Sequence, residues 1–201
     1  MPHIRMDARP AWVPADLTAD PVQWARATVR ERAEAEQADL SDERAGLLAE
    51  VLVPALRAAA AEEAPPVMLL FLIPEATEPS VCSVSIRVEP VPPSATPQSL
   101  LEDVRLPEPM LERPAEEETV PTAAGPATHL VQRYRVPVSP EYEMVQEHEL
   151  FLWRIATEEG VLAIYLSTSY LDLTAAGQWR PELVALASGL DVVVDDPVLE
   201  A

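Results

Sequence analysis

The chain has 201 residues, 48% of them apolar, which is enough for one domain with a real core and too apolar for a disordered chain. Its formal net charge of −20 comes from 34 acids against 14 basic residues, every one an arginine. That balance disfavours a nucleic-acid sheath and an anionic membrane surface as partners and would attract a basic protein, while the acids read first as a soluble surface.

Cys82 is the only cysteine, so no intrachain disulfide is expected. The opening stretch MPHIRMDARPAWVPADL lacks the apolar core of a signal peptide. The longest unbroken apolar run, VMLLFLI at 67–73, is far short of the ~20 residues that span a bilayer. These features predict a soluble, reduced, cytoplasmic protein.

The elements follow in chain order. Asp20 is placed to cap a helix and Pro21 to occupy its first turn, ahead of VQWARATVRERAEAEQAD. Ser41 caps a second helix, DERAGLLAEVLVPALRAAAAEE. Leu47, Leu48, Val51, Leu52 and Leu56 form its apolar stripe, and Pro54 is expected to kink or divide it. Pro65-Pro66 closes this helical region.

The character then changes, for 15 of the 22 prolines lie between Pro65 and Pro140. VMLLFLI reads as a strand covered on both faces. SVCSVSIRVE alternates, with Cys82, Val84, Ile86 and Val88 on one face, and forms a hairpin with the run before it. A short helix is expected near QSLLEDV, and a short strand around Glu117 to Val120. ATHLVQRYRV returns to a strand pattern, with Leu130, Tyr134 and Val136 on one face. His129, Val131, Arg133 and Arg135 fall on the other face, expected toward solvent.

FLWRIATEEGVLAIYLSTS, 151–169, is a hairpin. Centred on Glu158-Glu159, it pairs Phe151 with Leu166, Trp153 with Ile164 and Ile155 with Leu162, all on one core face. WRPELVALASGLDVV supplies a covering helix expected to begin near Trp179 or Arg180, because Pro181 suits only a first turn. Gly189 ends it, with Leu190 folding back.

The fold class is α+β: a mostly antiparallel sheet flanked by helices, with a helical N-terminal segment. Residues 1–201 read as a single domain, 1–64 its helical segment and 65–201 its sheet plus C-terminal helix. WVPADL at Trp12 to Leu17, AGPATHLVQRYRV at Ala124 to Val136 and LFLWRIATEEGVLAIYLSTSYLDL before the last helix carry a resemblance. The chain resembles the PsbP-like α/β/α sandwich and uncharacterised actinobacterial proteins of that fold. This resemblance implies a largely non-catalytic protein that docks to partners, with no catalytic residue to carry over.

Several constellations bear on chemistry. Glu147, His148 and Glu149 are metal-ligand types. On a strand, however, His148 points away from both glutamates, and a solvated strand end is the expected reading. His148 and Ser169 pair across the hairpin and could form a base and nucleophile, yet no G-x-S-x-G elbow or third group accompanies them. Cys82 shares a core face and is expected to be packed rather than reactive. His3 lies in a terminus expected to fray. Glu116-Glu117-Glu118 reads as a solvated loop before a docking site. Trp12 and Trp24 read as pins of the N-terminal segment before partner anchors. No phosphate-binding glycine loop occurs.

The sequence therefore assigns no catalytic, cofactor-binding or metal residue and sets no oligomeric state. It points to a non-enzymatic module for a protein partner, a basic one by charge, chaperone-like or immunity-like in role. The rival reading is a small hydrolase-like enzyme using His148/Ser169 or Cys82.

Overall fold

The structure, a computed structural model, describes residues 3–6, 11–73, 75, 82–139 and 142–193. The class is α+β, with antiparallel strands flanked by helices. The chain forms two compact units: Arg9–Arg87, and Val88–Ala201 together with Met1–Ala8.

The first unit holds strand β2 (Trp12–Pro14), helix α1 (Pro21–Glu36), helix α2 (Asp42–Ala61), strand β3 (Met68–Leu72) and most of strand β4 (Cys82–Val91). The caps sit where the sequence places them. Asp20 accepts from the Val22 and Gln23 amides, and Ser41 from the Arg44 amide. β3 pairs antiparallel with β2 on one side and with β4 on the other, Leu72 opposite Cys82 and Met68 opposite Ile86. Pro74 and residues 76–81, which hold most of the expected hairpin link, lie outside the described residues.

Ala25 and Val29 of α1, Leu48, Leu52 and Leu56 of α2, and Leu69, Phe71 and Ile73 form the core of this unit. Trp12 is buried opposite Leu72, and Trp24 packs on Phe71 with ring centres 5.7 Å apart, so both pin the segment. Two expectations for α2 need correction. The division expected at Pro54 does not occur, for the helix continues to Ala61 because its buried face outweighs one lost hydrogen bond. Leu47 and Val51 are exposed, 54% and 43%, since Ala45, Ala49 and Val53 take the inward positions instead.

The second unit holds strand β1 (His3–Met6), helix α3 (Pro97–Val104), β5 (Glu116–Thr122), β6 (Gly125–Ser139), β7 (Tyr142–Thr157), β8 (Gly160–Tyr170), helix α4 (Leu173–Ser188) and β9 (Leu190–Val193). Its strands lie in the order β8-β7-β6-β5, each pair antiparallel. β7 and β8 adopt the expected register, Phe151 opposite Leu166, Trp153 opposite Ile164 and Ile155 opposite Leu162. Gly160, at φ +143°, closes the turn in backbone space that side chains disfavour.

Strand alternation sends this sheet's two faces to different helices. Leu130, Leu150 and Leu152 meet Leu100 and Leu101 of α3. The residues between them on β7 meet α4, which packs on β5, β7 and β8. Two short strands carry no sequence signal: β1 pairs with β9, so the backbone at His3 is a strand and not a frayed end.

The start of α4 also differs from expectation. The helix begins at Leu173, eight residues before Pro181, which stands in its interior. Asp172 accepts from the Thr174 amide and supports an earlier start. Burial of Ala176, Leu183, Leu186 and Ala187 holds the helix despite the missing amide.

Candidate functional site

The α4 face of the second unit carries a buried charge network. Glu147 and Glu149 alternate with His148 on β7, so both project to the side of Phe151 and Trp153. They are 1% and 0% exposed, which overturns the expectation of a solvated strand end. Two ionised carboxylates are tolerated there only if cations reach them.

Arg180 of α4 reaches both. Its Nε donates to Glu149 Oε1 at 2.8 Å and its Nη2 to Glu147 Oε1 at 2.5 Å. Arg133 stands opposite Glu147 in the β6–β7 register and donates to its Oε2 from Nε at 3.0 Å and Nη2 at 2.7 Å. Arg113 adds a third cation at 3.3 Å and is itself held by Glu116 at 2.6 Å. The other oxygen of Glu149 meets His129.

His129 is 3% exposed, not turned to solvent, because the β6 face it shares with Val131 lies beneath α4. Its ring stacks on Phe151, directly opposite, at 4.2 Å and 8°. Nδ1 lies 3.0 Å from Glu118 Oε1 and Nε2 lies 3.1 Å from Glu149 Oε2. A carboxylate at each ring nitrogen favours the imidazolium, the form that donates from both. Burial works against that charge, but the hydrogen bonds to Glu149 and Glu118 and their charges prevail, and the imidazole titrates above its ordinary value.

The pH dependence follows. A raised native pKa means that the folded chain holds a proton the unfolded chain releases near pH 6.5. Stability from His129 is complete below that pH and is lost as pH rises through the native value. His148 runs oppositely, since burial lowers its pKa despite the nearby Glu149 charge, and its contribution falls as pH drops below 6.5. Urea denaturation across neutral pH is therefore expected to show a decline toward alkaline pH in the wild type that His129→Gln lacks. An identical pH profile in the two proteins would refute the buried imidazolium.

A cavity of about 260 Å³ opens over this network, lined by Glu116, Glu117, Glu118, His129, Val131 and Arg180. Its rim is acidic and its floor cationic. Glu116 and Glu118 lie on the same strand face as His129, whereas Glu117 turns to the other side and pairs with Arg105. The glutamate triplet is thus part of β5 and not a loop. Glu118 and Glu149 contact opposite ring nitrogens of His129, a geometry that cannot close on a single ion. Among the described residues no group of three His, Cys, Asp or Glu converges on a metal position.

The other candidates lie apart from this network. Cys82 is buried in β4. His148 and Ser169 are opposed in the β7–β8 register, as the sequence predicts. Their face is the one toward α3, where His148 is half-buried, Ser169 is exposed, and no hydrogen bond joins them among the described contacts. Next to His148 stands Gln132, fully buried, which accepts from the Leu106 amide at 2.7 Å and donates to the Val104 carbonyl at 3.2 Å.

Sequence reasoning missed Arg180, Arg133, Arg113 and the burial of His129. One signal was available: Glu147 and Glu149 share alternation with Phe151, Trp153 and Ile155, the face already read as core.

No protein-family model matches the chain, and no curated protein does. Among the described residues no helix is long and apolar enough to cross a membrane. The fold is similar to that of LpqN of Mycobacterium tuberculosis, a protein described as involved in cell envelope biogenesis, with a TM-score of 0.52 at 10% identity over 96% of this chain and 85% of that one. At that identity the likeness shows the fold.

Proposed function

We propose that the chain is a non-enzymatic protein-interaction module that receives a basic protein, in a chaperone-like or immunity-like role. The observation that carries this is how the charge is distributed. Most of the described arginines are tied to internal carboxylates or carbonyls, and 34 acids against 14 arginines leave a large acidic excess that these pairs do not neutralise. A field of that sign accelerates encounter with a basic surface.

The groups that could do chemistry are placed in ways that support the same reading. Cys82 is packed, and His129, Glu147 and Glu149 are consumed by one another and by arginines. The enzymatic alternative rests on the opposed positions of His148 and Ser169 alone. Assignment to PsbP-like sandwiches of actinobacterial type belongs to this reading, and the fold shared with LpqN is compatible with it. So does a cytoplasmic location. The envelope role described for LpqN makes an envelope-facing site the competing location, and fractionation of the native host separates the two.

Affinity purification from the native host, followed by mass spectrometry, tests the reading. The captured protein is expected to be basic. Its association rate should fall roughly tenfold or more from low to physiological salt. A salt-insensitive rate would return the acids to the role of a solvating surface.

A further inference from the structure

The first unit carries a feature that runs against the charge of the whole molecule. A cavity of about 330 Å³ lies along α1 and α2, lined by Val22 and Arg26 of α1 and by Gly46, Ala49, Glu50, Val53, Pro54 and Arg57 of α2. In a chain with 34 acids and 14 arginines, an arginine without a carboxylate is the exception. Arg26 and Arg57 are the only described arginines with no hydrogen bond or ion pair to any residue. Both are exposed, and both line this one cavity.

The surroundings are apolar. Val22, Ala49, Val53 and Pro54 wall the groove, and a side chain at Gly46 would meet nothing within 4 Å, so the glycine leaves the floor open. Leu47, Val51 and Pro54, one turn apart on α2, are exposed and form an apolar stripe beside it. Pro54 has no amide hydrogen, which leaves the Glu50 carbonyl without its helical donor. Glu50 offsets one of the two arginines, so the groove holds a single net positive charge.

We propose that this groove docks an amphipathic helical segment of a partner protein. One carboxylate of that segment is held by Arg26 and Arg57, and its aliphatic side chains lie on Leu47, Val51 and Pro54. The proposal rests on the interaction reading above and names the surface and the local chemistry that reading lacks. Arginine is the side chain that grips a carboxylate in two-point geometry, and an aliphatic stripe beside a cationic pair selects a helix with one acid on an apolar face. A partner that is basic overall is compatible with it: the −20 field brings the partner in, and a single local carboxylate seats it.

The test uses the full chain, labelled with nitrogen-15, and a capped helical peptide bearing two leucines one turn apart and a single glutamate. Saturable shifts are expected at the side-chain Nε–H resonances of Arg26 and Arg57. Affinity should fall about 5–20-fold in Arg26→Gln or Arg57→Gln and in the peptide with glutamine for glutamate. Arg30→Gln, which removes an arginine of the same helix paired with Asp42, should leave it unchanged. Shifts elsewhere with both arginines silent would overturn the groove while leaving the interaction reading to the capture experiment. Absence of any saturable shift at about millimolar peptide would overturn it as well. Acetate producing the same saturable shifts would reassign the groove to a free carboxylate. Concentration-dependent dimerisation centred on these arginines would reassign it to a second copy of the chain. Either result overturns the partner helix.

Discussion

Arg180→Met is expected to destabilise the protein by about 3–5 kcal/mol, because it withdraws the cation from two buried carboxylates at once. Glu149, fully buried, would keep only His129, and Glu147 would keep Arg133 and Arg113. Methionine preserves much of the packing on α4, so the loss reads out charge and not volume. The double variant Arg180→Met/Glu149→Gln should recover part of it, since an amide in place of the carboxylate leaves less uncompensated charge. Urea denaturation of the four proteins in the cycle measures the coupling. A loss below about 1 kcal/mol in Arg180→Met would mean that the arginine is a surface pair and the network is not holding α4 to the sheet.

Trp153→Ala carries the second large effect, also about 3–5 kcal/mol. Trp153 is 1% exposed, opposite Ile164 and 6.2 Å from the Phe151 ring centre. Its Nε1 donates to Thr122 Oγ1 at 2.8 Å, tying β7 to the end of β5. Truncation opens a cavity where three strands meet and removes that hydrogen bond. Trp153→Phe keeps most of the volume and should lose about 1–2 kcal/mol, the hydrogen bond together with the smaller ring. For a chain of this length, the alanine variant should lower the melting temperature by roughly 10 °C. A wild-type melting temperature in the alanine variant would contradict the burial of this face.

The hairpin shows why some of this is legible without coordinates. Alternation with a fixed two-residue turn allows one register that puts Phe151, Trp153, Ile155, Leu162, Ile164 and Leu166 together, and a shift by one residue scatters them. The same rule places Glu147 and Glu149 on that face. What alternation does not say is how far along a strand the core extends. That depends on where α4 lies, and α4 begins eight residues earlier than Pro181 suggests. Propensity places a proline in the first turn of a helix; burial of Leu183, Leu186 and Ala187 overrides it. The stripe on α2 errs for a related reason. Leucine spacing marks a plausible inner face, but the small residues Ala45 and Ala49 are what let the helix approach its neighbours, and Leu47 and Val51 are left outside.

Local chemistry, readable from residue type and spacing, thus determined the caps at Asp20 and Ser41, the pairing of β3 with β4, the β7–β8 register and the α+β class. Each depends on groups within a few residues of one another or on a two-residue period. Tertiary structure alone decided the site. Glu118, His129, Glu149 and Arg180 come from three strands and a helix, up to 62 positions apart in the chain, and no spacing rule relates them. Whether a glutamate on a strand is solvated or buried is settled by what packs above it: α4, carrying one arginine, turns two surface acids into the centre of a buried ion network.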